Sequence, residues 1–201
     1  MFTLKACAQA FTEAKNSRFI SYLAPYSQQE ALLKSLYKEH PKATHIVRAA
    51  RFFDENLVLH EYANDDNEPK GTSAKPALAA LKGARLVNTA ALIVRYFGGI
   101  KLGPGGLVRA YAAATNAAIE KAKAQELLLS YKPQKLATLS LPHAATSRIL
   151  HFIDKEGLCI KSKDFKAQGA RISLLLDAKE LELLEGFLKA LNTGDIILKL
   201  S

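Results

Sequence analysis

Three groups of residues have types and spacings that could do chemistry. The first is Gly98-Gly99-Ile100-Lys101-Leu102-Gly103-Pro104-Gly105-Gly106, which joins the apolar, β-branched run Thr89–Phe97 to an alanine-rich helical pattern. A strand-to-helix turn of this kind presents backbone N–H groups at a helix N-terminus, and such ends attract phosphate. The segment is not a P-loop, because Pro104-Gly105 stand where lysine and serine or threonine are needed. Nor is it a dinucleotide fingerprint, because Val108 occupies the last glycine position counted from Gly103. A bare geometric need for positive φ explains glycines equally well. Arg95, Lys101 and Arg109 bracket the turn. Arg109 falls near the start of the helix, where a cation is disfavoured unless something anionic approaches. Gly98, Gly99, Gly103, Gly105 and Gly106 with Arg95, Lys101 and Arg109 are therefore candidate phosphate or nucleic-acid contacts, with Arg18 and Lys75 in support.

The second group is the acidic loop Asp65, Asp66 and Glu68. Clustered carboxylates hold divalent cations or act as acid and base. The EF-hand spacing is absent, and the same residues could cap the following helix, turn the chain through a left-handed Asn67, or pair with Arg109. The third group yields nothing: His40, His45, His60, His143 and His151 never take a metal-binding spacing, and no serine sits in a Gly-x-Ser-x-Gly elbow. No catalytic residue, metal or cofactor is assigned. Cys7 and Cys159, far apart, read as two buried thiols rather than a disulfide or a zinc site. Among the aromatics, Phe19, Tyr22, Tyr96, Phe97 and Tyr111 could stack on bases, but most occupy core-like positions.

The elements that must position these groups follow from periodicity. Phe2–Ala6 and Ser17–Leu23 alternate like strands, and Ser27 with Glu30 forms a capping-box pattern ahead of a helix that ends before Pro41. His45–Phe52 and Leu57–Tyr62 flank turn residues and read as a hairpin. A helix with an early Pro76 follows the acidic loop, with Leu78 and Leu81 as its inner face. Thr89–Phe97 reads as a strand buried on both faces. Leu107, Tyr111, Ala114, Ala118 and Ala122 then mark one stripe of a long helix. After Lys132-Pro133 a second rhythm begins: strand Lys135–Leu141, helix Thr146–Glu156, strands Leu158–Ser162 and Ala170–Leu176, helix Lys179–Leu191 stopped near Gly194, and strand Asp195–Leu200. That order, βαββαβ, is the ferredoxin-like plan. The expectation is an α+β protein of two domains, residues 1–130 and 131–201.

Composition restricts the function classes. In 201 residues, 28 lysines and arginines oppose 19 acids for a net charge of +9, which favours polyanionic partners. No lysine or arginine tract exists, so a binding surface must be assembled by folding. No apolar run approaches the length of a membrane span, and Lys5, Glu13 and Lys15 break any leader-like stretch, so a cytosolic protein without membrane contact is expected.

Ser17-Arg18-Phe19-Ile20, the run Asp65–Pro76 and the run Val94–Tyr111, in that order, together resemble the signature of the Impact/YigZ family. The likeness spans about residues 15–122 for the Impact N-terminal domain and 135–198 for the small second domain of bacterial members. It implies a first domain like ribosomal protein S5 domain 2 and a second similar to the C-terminal part of elongation factor G. It also implies RNA, the ribosome or a translation factor as partner, with no established reaction. Eukaryotic members restrain an amino-acid-starvation kinase pathway through a further N-terminal domain, and that role is not expected here. Two other readings stand beside RNA binding: a metal-dependent hydrolase of a small phosphorylated or peptidic substrate, and a regulator that docks a translation factor on the sheet of the second domain.

Overall fold

A computed structural model describes residues 1–167, 169–191 and 195–200. The chain separates into two compact units, Met1–Tyr131 and Lys132–Ser201.

The first unit is built on an antiparallel sheet of five strands: β2 (Ala8–Ala14), β3 (Ser17–Pro25), β4 (His45–Phe53), β5 (Leu59–Asn64) and β6 (Thr89–Tyr96), in the order β2-β3-β6-β4-β5. Helices α2 (Ala74–Gly83) and α3 (Gly103–Ala124) cover one face, and α1 (Gln29–Glu39) covers the other. β6 lies at the centre, and its side chains alternate between two cores. Ala91 and Ile93 join the core under α2 and α3, while Ala90, Leu92 and Val94 join the core under α1. Burial on both faces is why this strand is written as one continuous apolar run. The same alternation carries Arg95 onto the α2/α3 face, next in line after the apolar Ala91 and Ile93.

A short pair, β1 (Phe2–Leu4) and β7 (Leu128–Ser130), ties the two ends of the unit together. The first strand is thus shorter than the sequence pattern suggested, and Ala8–Ala14 forms an edge strand that the pattern did not show. Its residues AQAFTEA are mostly poor strand formers, so pairing with β3 imposes the conformation. The capping box is likewise not made. Ser27 lies inside a 3₁₀ turn, Tyr26–Gln28, so the chain enters α1 already wound, with Gln28 at the cap and no side-chain cap bond. On α2 the fully buried positions are Ala74, Ala77 and Leu81, with Leu78 only partly covered.

The second unit runs β8 (Lys135–Leu141), α4 (His143–Lys155), β9 (Cys159–Lys166), β10 (Gly169–Leu176), α5 (Ala178–Leu191) and β11 (Ile197–Leu200). Its antiparallel sheet has the order β11-β8-β10-β9. Leu139, Ile149, Ile153, Ile172, Leu174 and Leu184 pack between the helices and one sheet face. Thr138 and Ser173 meet on the other face at 3.3 Å. The helix stop expected near Gly194 lies outside the described residues. Both cysteines are free thiols, and they are exposed where the sequence suggested burial: Cys7 links β1 to β2, and Cys159 opens the edge strand β9.

Candidate functional site

A charged side chain in a core position needs a partner, and Arg95 has one. It is 5% exposed, and its Nη1 donates to Oε1 of Glu68, itself 7% exposed. The Tyr111 hydroxyl donates to the same oxygen at 2.7 Å. Phe19 and Phe97 flank the guanidinium at 5.7 and 5.8 Å, ring centroid to guanidinium carbon. Burial first, and then the adjacent Glu68 carboxylate, push the Tyr111 phenol far above its ordinary range, so it remains a donor at any physiological pH. Arg95 is therefore not a free anion contact flanking the glycines, because its charge is matched inside the protein. The pairing with the acidic loop that was open to Arg109 is made by Arg95.

The acidic loop exists to deliver Glu68 and to start α2. Asp66 and Asn67 both take left-handed backbone, φ 47° and 66°, which turns the chain inward. The Asp66 carboxylate accepts the Ile46 amide at 2.7 Å, and its carbonyl accepts from Nδ1 of His45 at 2.7 Å. Asp65 accepts from the amides of Gly71, Ser73 and Ala74 and from the Ser73 hydroxyl. Burial alone would raise the Asp65 carboxyl, but these four donors outweigh it and hold it below the usual carboxylate range. Each acid is thus committed to the fold, and no cluster of three or more metal-ligating side chains occurs among the described residues.

Because the Asp65 carboxyl is lowered in the folded state, the stability it contributes is present above the unfolded value of 3.8 and is lost as pH falls through the folded value. Asp65→Asn is expected to lower stability by about 1 kcal/mol at neutral pH. The difference from wild type should shrink in thermal melts carried down through this acid range.

The glycine-rich turn has two steric requirements. A Cβ on Gly98 would lie 2.1 Å from the backbone carbon of Asn16, so glycine is what lets the end of β6 pass over the β2–β3 turn. Gly103 takes φ +70°, and nothing lies within 4 Å of its missing side chain. Leu102 sits at the N-cap of α3 without a side-chain cap bond, and Pro104 occupies the first turn, where its missing N–H is harmless. The first-turn amides therefore face the surface without a side-chain acceptor. Lys101 and Arg109 are both exposed.

Two cavities flank this helix start and share Leu102. One, of about 260 Å³, is lined by His45, Glu68, Arg95, Phe97, Lys101 and Gly103 among others. The other, of about 410 Å³, includes Lys15, Phe19, Gly106 and Arg109. The candidate cations do not all converge. Arg18 neighbours Phe19 in β3 and so faces the other side of the sheet, its guanidinium 5.2 Å from the Tyr96 ring. Lys75, in the first turn of α2, lines neither cavity, and its stem lies along Gly71. Phe19, Tyr22 and Tyr111 are core, whereas Phe97 stays 47% exposed at the cavity rim.

His45 was given no site role from the sequence. Its place depends on the β4–β6 register, which sets it opposite Arg95, and on a loop that returns 21 residues later to bind Nδ1.

A two-unit α+β chain with a five-stranded antiparallel sheet, a glycine-rich turn and an uncapped helix start between basic cavities is the class of protein these observations define. The model of the Impact N-terminal domain matches residues 15–119. An IMPACT family member of Haemophilus influenzae is 32% identical over 191 residues, covering 94% of this chain and 90% of that one. The chain belongs to the IMPACT family. Bacillus subtilis YvyE is 45% identical over 113 residues, and Escherichia coli YigZ 42% over 118; the matches span 51% and 57% of those relatives' lengths. A crystal structure of a hypothetical protein aligns over 98% of this chain and 95% of its own, with a TM-score of 0.60 and 29% identity.

Proposed function

We propose that the chain is a translation-associated regulator that binds RNA, free or in the ribosome, across the start of α3. One observation carries this reading: the first-turn amides of α3 lack a side-chain cap and lie between exposed Lys101 and Arg109. Amides and cations at one place hold phosphate oxygens with little preference for base sequence. Family membership and the net charge of +9 favour the same class of partner. The contact set is narrower than the sequence suggested. Lys101, Arg109 and the amides near Gly103, Gly105 and Gly106 remain, while Arg95 acts from below by holding Glu68. In this reading the first unit is of the ribosomal protein S5 domain 2 kind. The second is ferredoxin-like, similar to the C-terminal part of elongation factor G, and the strand order β11-β8-β10-β9 favours that likeness. No helix among the described residues is long and apolar enough to cross a membrane.

Titration with single-stranded RNA at several salt concentrations tests the proposal. Each phosphate contact on a single strand contributes a slope of about −0.7 in log K against log salt, so Lys101→Gln with Arg109→Gln should flatten the wild-type slope by about 1.4. Binding that is absent, or whose slope is the same in wild type and double variant, would overturn the assignment.

A further inference from the structure

The outer edge of a sheet carries a row of backbone N–H and C=O groups with no strand beside it, and such a row is a template for pairing with another chain. The five-stranded sheet ends on β2 and β5, the four-stranded sheet on β9 and β11. Three of these edges are guarded. β9 sets Lys161, Lys163, Asp164 and Lys166 along its length and shifts register against β10, and its exposed Phe165 stands between Asp164 and Lys166. β11 has four residues, one of them Lys199. β5 carries Glu61, ion-paired with Arg51 and Lys82, and His60, which meets Asp54. Short length, edge charges and bulges all discourage a further strand.

β2 has none of these devices. Its seven residues, AQAFTEA, include no lysine, arginine or proline, and Glu13 near one end is its one charge. Its register with β3 runs from Ala8 to Ala14 without a shift. At its middle stands Phe11, 56% exposed. Strand alternation places Gln9, Phe11 and Glu13 on the α1 face of the sheet, where Phe11 lies beside Ile20 of β3, and all three are exposed.

This strand also fits itself. Phe11 has three strand residues on either side, so two copies can run antiparallel about a two-fold axis at Phe11. In that register Phe11 faces the partner's Phe11, an aromatic pair that covers surface each copy otherwise leaves to water. Gln9 faces the partner's Glu13, an amide donor opposite a carboxylate, and the symmetry makes this pair twice. Gln9 Nε2 donates to the Tyr22 hydroxyl at 3.2 Å and has a second N–H to give. On the other face Ala8 meets Ala14 and Ala10 meets Thr12, all small. No like charges oppose each other.

We propose that β2 is a homodimer interface, pairing with β2 of a second copy of this chain in the register centred on Phe11 and joining two five-stranded sheets into one. A second copy is the occupant because the strand is complementary to its own reverse, in apolar, polar and small positions alike. A two-fold pairing of this kind is isologous and consumes both β2 edges, so assembly stops at the dimer. The interface goes beyond the RNA reading and does not depend on it.

Sedimentation equilibrium of the full chain over about a hundredfold range of micromolar concentrations should show a monomer passing into a dimer. Phe11→Lys sets two lysines opposite each other at the axis and removes the aromatic pair, and it should raise the dissociation constant at least about tenfold. Because Phe11 is exposed in the single chain, the melting temperature of the dilute monomer should hold. Register is read by cross-linking in a chain carrying Cys7→Ser and Cys159→Ser, with oxidised glutathione as oxidant. Phe11→Cys should form a disulfide between copies, since directly opposed residues have Cα atoms about 4.5–5.5 Å apart, within disulfide range. Glu13→Cys should not, since four residues of strand, roughly 13 Å, separate its two copies.

A chain that stays monomeric throughout the range would overturn the interface. So would a dimer whose dissociation constant Phe11→Lys leaves unchanged, or equal cross-linking of the two cysteine variants. Assembly beyond the dimer would overturn it too, because a two-fold pair leaves no β2 edge free.

Discussion

Glu68→Ala should lower the stability of the protein by about 3–5 kcal/mol, because it leaves the buried Arg95 guanidinium without its counter-charge in an apolar layer. Tyr111 loses its acceptor at the same time. For a unit of this size the change corresponds to a fall of roughly 10–15 °C in melting temperature. The penalty comes from the stranded charge rather than from the worth of the pair, and that origin is itself testable. Removing all three polar groups together, as Glu68→Leu, Arg95→Met and Tyr111→Phe, should cost less than Glu68→Ala alone, since apolar groups of similar volume satisfy the same space. A triple variant as unstable as the sum of its single changes would show instead that the network stabilises in its own right.

Gly98→Ala should cost about 3 kcal/mol, at the upper end of what overpacking does, because the added methyl meets backbone and not a movable side chain. The Cβ would lie 2.1 to 2.4 Å from Asn16 C and O and Ser17 N, and both neighbouring strands are pinned by the β3–β6 ladder. Gly83→Ala is the control. Nothing lies within 4 Å of that position, at the end of α2, so the substitution should be neutral or raise stability by a few tenths of a kcal/mol. Chemical denaturation of the two variants side by side checks the contrast. Equal effects would mean that the close approach at Gly98 is not what requires glycine.

Much of the fold was readable because burial writes itself into periodicity. β6, packed on both faces, appears as the uninterrupted run Thr89–Tyr96, and α3 shows its stripe from Leu107 to Ala122. β2 was not readable, since an edge strand of alanine, glutamine, threonine and glutamate carries little strand signal and takes its form from β3. Ser27 and Glu30 spelled a capping box, but the 3₁₀ turn before α1 removed the geometry that a box needs.

The site was legible in its parts and not in its connections. Strand alternation alone assigns Arg95 to the face of Ile93 and Arg18 to the face opposite Phe19, which puts the two arginines on opposite sides of the sheet. What no local pattern shows is which acid a buried arginine will meet. Glu68 reaches Arg95 across 27 residues, by way of two left-handed residues and a carboxylate cap. His45 depends on the same return of the chain.

The most direct test of RNA contact at the start of α3 is the set of backbone amide shifts in a ¹H–¹⁵N spectrum of the full chain during titration with single-stranded RNA. The account predicts the largest changes at Gly103, Gly105 and Gly106, with Lys101 and Arg109 beside them, and their disappearance in the Lys101→Gln, Arg109→Gln variant. Shifts confined to residues 132–200, with the amides of the α3 first turn unmoved, would contradict it.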